Sequence, residues 1–110
     1  MPATYDDANV LVQLLQWGAT MGLDEAAGAI MDEGFDPDTA SANDPSVRKM
    51  LMFFETIGTF TKQGVLDRTL VLDLWWVSGM WARIGPAALR QRDKIGEPRL
   101  FENFEALAKG

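Results

Sequence analysis

The carboxylates Asp24, Glu25, Asp32 and Glu33 are the side chains best spaced for chemistry. Eight positions along a helix bring Asp24 and Asp32 to within ~80° of each other. Acids on one helical face can hold magnesium, and bound magnesium can activate water against a phosphoanhydride. A second pair, Glu55 and Arg92, is polar on otherwise apolar ground. Glu55 stands beside Phe53, Phe54 and Ile57, where an unpaired carboxylate is costly. Arg92 falls on the extension of an apolar stripe, so the two are expected to form a structural ion pair.

Each acid also has a plainer reading. Four-helix nucleotide pyrophosphohydrolases are all-α, about this size, and hold magnesium with Glu-Glu-x-x-Glu and Glu-x-x-Asp. Here Gly28 takes the third acidic place, and Glu55 is followed by Gly58. A solvated acidic face explains the same residues. A calcium loop starting at Asp36 and Asp38 would need Gly and Glu where Ser41 and Val47 stand. The chain has no cysteine and no histidine. Disulfides, the usual zinc sites and Ser–His–Asp or Cys–His catalysis are therefore excluded. No catalytic, cofactor-binding or metal-binding residue is assigned.

Charge is unevenly placed. Net charge is -6, yet residues 1–47 hold nine acids and no Lys or Arg, while residues 48–110 hold ten basic and seven acidic residues. The acidic half is expected to shield the basic half within one fold, a charge contact that salt should weaken. The basic residues from Arg83 to Arg99 are too sparse for a nucleic-acid groove. No apolar run reaches the ~18 residues of a membrane span, and the opening "MPATYDDANV" has no signal-peptide pattern. These features point to a cytoplasmic protein.

The elements that must position these residues read as helices. Thr4 and Asp7 make a loose capping box, and Gly22 ends the first helix. A second helix runs to Gly34, closing an acidic hairpin over 1–34. Residues 35–44, rich in Asp, Pro, Ser and Asn, form a loop. Asp44-Pro45 starts a third helix, to about Gln63, with Val47, Met50, Leu51, Phe54 and Ile57 on one stripe. Asp67 caps a tryptophan-rich helix, which Pro86 should kink or split. A last short helix spans about 99–109. The expectation is a compact all-α single-domain bundle of about five helices, with the tryptophan-rich helix at its centre.

That helix is apolar nearly all round. In one continuous helix Leu70, Leu74, Val77, Trp81, Ile84 and Ala88 share a stripe, and Trp75 points almost opposite. Trp81 belongs to the core. Trp75, Trp76, Met80 and Arg83 are the candidate contact surface, since tryptophan is enriched at interface hot spots. The expected function is a non-enzymatic interaction or self-association module, a homodimer through Trp75 or Trp76 or a binder of a protein partner. The alternative is the magnesium-dependent nucleotide hydrolase.

Two strings, "VRKMLMFFETIGTFTKQGVLDRTLVLDLWW" and "MWARIGPAALRQRDKIGEPRLFENFEALA", resemble bacterial proteins catalogued as domain of unknown function 4760. The shared pattern is a helix with an "FFE"-like core, a "KQG"-like stop, a tryptophan-rich helix, an Arg and a closing Phe-Glu. It covers roughly residues 45–108. Many members look membrane-anchored at the N-terminus, and this chain shows no such segment. The resemblance implies a shared helical core and no particular mechanism.

Overall fold

A computed structural model describes residues 3–110. Six helices follow one another: α1 (Tyr5–Met21), α2 (Leu23–Met31), α3 (Pro45–Lys62), α4 (Arg68–Leu74), α5 (Val77–Ile95) and α6 (Glu102–Lys109). No strand occurs among the described residues. The chain is an all-α bundle with one hydrophobic core.

Local chemistry sets most boundaries. The Thr4 hydroxyl accepts the Asp7 N–H, and the Asp7 carboxylate accepts the Thr4 N–H at 2.7 Å, which completes a capping box for α1. Gly22, at φ 75°, turns the chain directly from α1 into α2. Asp67 accepts the Leu70 N–H at 2.9 Å and opens α4. The acids between α2 and α3 fold their own loop. Asp32 accepts from Gly34, Asp36 from Asp38 and Asp44 from Ser41. These are the turn-forming bonds of short polar side chains. Asp44 therefore starts α3 through its position before Pro45, without a side-chain cap.

The central helix is α3, which packs on α2, α5 and α6. It replaces the tryptophan-rich helix in the place expected for that one. Met50, Leu51, Phe53, Phe54 and Ile57 are buried on it, and its rings pack against neighbouring helices. Phe53 meets Trp17 at 5.4 Å between centroids, and Phe54 stacks on Phe104 at 5.1 Å. Trp81 lies edge-on to Phe104 at 4.9 Å, packed against the core as expected.

The tryptophan-rich segment is two helices, and the split falls at Trp75-Trp76 instead of Pro86. Trp75 is extended, and Trp76 has φ -82° and ψ 72°. The Val77 N–H donates to the Trp75 carbonyl at 3.0 Å, which makes an inverse γ-turn. The turn resets the helical phase. Val71 and Trp75 before it, and Val77, Ile84 and Ala88 after it, all face the core. One unbroken helix would send these two sets to opposite sides.

Pro86 instead lies within α5. Proline disfavours helical backbone in the residue before it by clashing with that residue's Cβ. Here that residue is Gly85, which has none. The same absence admits the Trp81 indole, since a Cβ on Gly85 would lie 2.7 Å from it.

Candidate functional site

The γ-turn leaves Trp76 at an elbow between α4 and α5. That residue is 70% exposed. It lies over Gly79, where an added Cβ would come within 2.2 Å of the ring. Leu72 and Leu74, 41% and 46% exposed, flank it on α4. A groove of about 440 Å³ runs beside the elbow to Leu107 and Ala108 of α6, with Arg68 and Asp73 among its walls. Arg68 already donates to the Leu107 carbonyl at 3.1 Å.

Of the other three residues expected at the contact surface, Trp75 also lines this groove, while Met80 and Arg83 lie elsewhere. Met80 is buried in the core. Trp75 is half-buried, edge-on to Phe53 and Phe54 at 5.7 and 6.1 Å. Arg83 reaches across to α2, where it donates to the carbonyls of Ile30 at 3.0 Å and Asp32 at 2.8 Å. Its guanidinium also sits 5.1 Å over the Phe35 ring. It therefore caps the C-terminal end of α2, where free carbonyls and the helix dipole both attract a cation.

Glu55 and Arg92 do not pair with each other. Glu55 accepts the backbone N–H groups of Asn103 at 3.0 Å and Phe104 at 2.9 Å, together with the Asn103 side-chain amide at 2.9 Å. It is the N-cap of α6, supplied from α3. Phe101, the residue at the cap position, has no side-chain acceptor and holds φ 58°. It is the one non-glycine residue with positive φ among the described residues. Gly58 and Thr59 complete the cradle. The Asn103 amide donates to the Thr59 hydroxyl at 3.1 Å, and a Cβ on Gly58 would lie 2.5 Å from the Asn103 carbonyl oxygen. Arg92 grips the turn just before, donating to the Leu100 carbonyl at 3.0 and 2.7 Å and pairing with Glu105 at 3.2 Å. Lys109, and after it Arg92, hold the Glu105 carboxyl below the ordinary glutamate range, against the opposing effect of burial.

Among the described residues the acidic and basic halves meet, but not through ion pairs. The salt bridges among the described residues, Arg92–Glu105, Arg99–Glu102 and Lys109–Glu105, all lie within the C-terminal half. Arg83 and Arg90 hold the acidic segment by its main chain, Arg90 through the carbonyls of Pro37 and Ala40. Asp24, Glu25, Asp32 and Glu33 are exposed. No group of three metal-ligating side chains comes together among the described residues. No helix there is long and apolar enough to cross a membrane.

A small all-α bundle braced by arginines, with one presented tryptophan, is the class these features define. The chain belongs to the family described as Domain of unknown function (DUF4760), whose model matches residues 4–110. The match takes in the N-terminal hairpin as well as the region from residue 45 onward. No curated protein and no solved structure matches the chain.

Proposed function

We propose that the protein is a non-enzymatic interaction module, and that the elbow around Trp76 receives apolar side chains of a partner protein. The observation that carries this reading is the exposed indole lying over Gly79 beside the groove. A large exposed indole beside a groove is the kind of residue that dominates binding energy at protein interfaces. The groove beside it carries one cation and one carboxylate, Arg68 and Asp73, with leucines between. Mixed charge of this kind suits a protein surface better than a polyanion. A cytoplasmic setting accompanies this reading on the sequence grounds above.

The test uses proteins captured from the native host by the full chain, then purified and bound again singly. Trp76→Ser should weaken a genuine partner by ~30-fold, as expected for loss of a hot spot. Far-UV circular dichroism should stay unchanged, because the side chain is mostly exposed. Partners that bind Trp76→Ser as tightly as the native chain would overturn the assignment.

A further inference from the structure

Arg68 stands between two grooves. On one side is the groove of the Trp76 elbow, of about 440 Å³. On the other a second groove, of about 290 Å³, runs between the end of α3 and α6. Arg68 and Leu107 line both, and the hydrogen bond between them makes them a shared wall. The guanidinium is half-buried and joins none of the ion pairs among the described residues. Its bond to the Leu107 carbonyl uses one of five N–H donors.

The second groove is lined by cations without a carboxylate. Lys62 stands in its wall with Arg68, and the remaining lining residues, Thr61 and Asn103 among them, are uncharged. Lys62 is exposed and, like Arg68, in none of the ion pairs among the described residues. The nearby acids are engaged elsewhere. Arg99, and after it Lys62, hold the Glu102 carboxyl below the ordinary glutamate range, and its bond at 3.0 Å is to Arg99. Asp67 is committed to the Leu70 N–H. Two neighbouring cations with no carboxylate in their groove favour an incoming acid.

We propose that the partner segment received at the Trp76 elbow continues across the Arg68–Leu107 wall and sets an aspartate or glutamate against Arg68 and Lys62. This inference rests on the elbow reading and names the partner's chemistry, an apolar anchor with an acid to one side of it. Charge fixes which end is which. Asp73 lines the elbow groove and would repel an acid there. Arg68 also borders a third groove, walled by Asp6, Asp7 and Asp67, which turns an acid away on that side. The Lys62 side adds a second cation to Arg68 instead. The spare N–H groups of a guanidinium suit a carboxylate, and the ammonium beside them adds a mobile charge. The apolar anchor then supplies most of the affinity, and the acid selects among partners. An anionic membrane is a poorer occupant, because the two cations lie in a groove on a chain of net charge -6.

The probe is a phage-displayed library of random peptides, selected on the full native chain. Enriched peptides should share an aromatic or aliphatic residue and, set apart from it, Asp or Glu. Lys62→Glu keeps the fold, since the side chain is exposed. It should weaken an enriched peptide about fivefold, and exchanging that peptide's acid for lysine should restore binding to the variant. The Nε–H resonance of Arg68 should move when the peptide is added and stay in place when the peptide's acid is replaced by its amide. Trp76-dependent peptides without an acid would overturn this inference and leave the elbow reading standing. Acidic peptides that bind Trp76→Ser as tightly as the native chain would overturn both. Indifference to Lys62→Glu, a selection that enriches no peptide, or sedimentation of the chain with phosphatidylserine vesicles at physiological salt also overturns the inference.

Discussion

Phe104 donates its backbone N–H to the carboxylate of Glu55 at 2.9 Å, across 49 positions of chain. This contact, with the parallel one from Asn103, makes a residue of α3 the cap of α6. The carboxylate thus replaces the side-chain acceptor that Phe101 cannot supply, and it holds the last helix onto the central one.

Removing that carboxylate should loosen α6. Glu55→Ala leaves three donors without their acceptor and should cost ~2–3 kcal/mol in urea unfolding. Glu55→Gln keeps one acceptor oxygen and should cost about half as much. A loss under ~0.5 kcal/mol for the alanine variant would show that water replaces the cap freely.

Two glycines in helices should respond oppositely to the same change. Gly58→Ala places a methyl group 2.5 Å from the Asn103 carbonyl oxygen, with backbone that cannot step aside cheaply. It should cost ~2–3 kcal/mol through overpacking. Gly28 has nothing within 4 Å of its Cβ position. Gly28→Ala should stabilise α2 by up to ~1 kcal/mol through helix propensity. Thermal unfolding of the two variants checks the signs, and equal shifts would contradict the close approach of α3 and α6.

Acid should act on the C-terminal helix through Glu105. Its carboxyl is held below the ordinary range, first by Lys109 and then by Arg92. A depressed folded-state value means the contribution is complete above the unfolded glutamate value of about 4.3 and fades as pH falls below it. Glu105→Gln should therefore flatten the fall in urea midpoint on acidification below that value. A variant that tracks the native curve throughout would show that Glu105 contributes none of it.

Added salt should barely affect the contact between the acidic and basic halves. Arg83 grips carbonyl oxygens of Ile30 and Asp32 instead of a carboxylate. Such short dipolar contacts, partly buried, are screened far less than exposed ion pairs. Arg83→Met should cost ~1–3 kcal/mol by orphaning those carbonyls, with nearly the same cost at low and high salt. A cost that vanishes in high salt would restore the ion-pair picture.

Helix starts and stops were legible in the sequence because their chemistry is local. Thr4 with Asp7, Gly22, Asp44-Pro45 and Asp67 each act within a few residues. The break at Trp75-Trp76 was not legible. An apolar segment with tryptophans on several faces reads as one buried helix, and the phase shift is decided by distant Phe53 and Phe54. The partners of Glu55, Arg83 and Arg92 were hidden for a related reason. Sequence shows that an acid among phenylalanines needs a partner, but main-chain N–H and C=O groups recur at nearly every residue and leave no mark. The exposure of Trp76 had one available signal, a glycine three positions later on which an indole can lie.

The arginine contacts also set which substitutions the chain can absorb. A carbonyl oxygen is present whatever side chain its residue bears. Ile30, Asp32, Pro37, Ala40 and Leu100 thus offer Arg83, Arg90 and Arg92 the same acceptors after almost any replacement that preserves the backbone path. The arginines have no such latitude, since lysine lacks their forked geometry. Replacement should therefore disturb these contacts less at the carbonyl-bearing residues than at the three arginines.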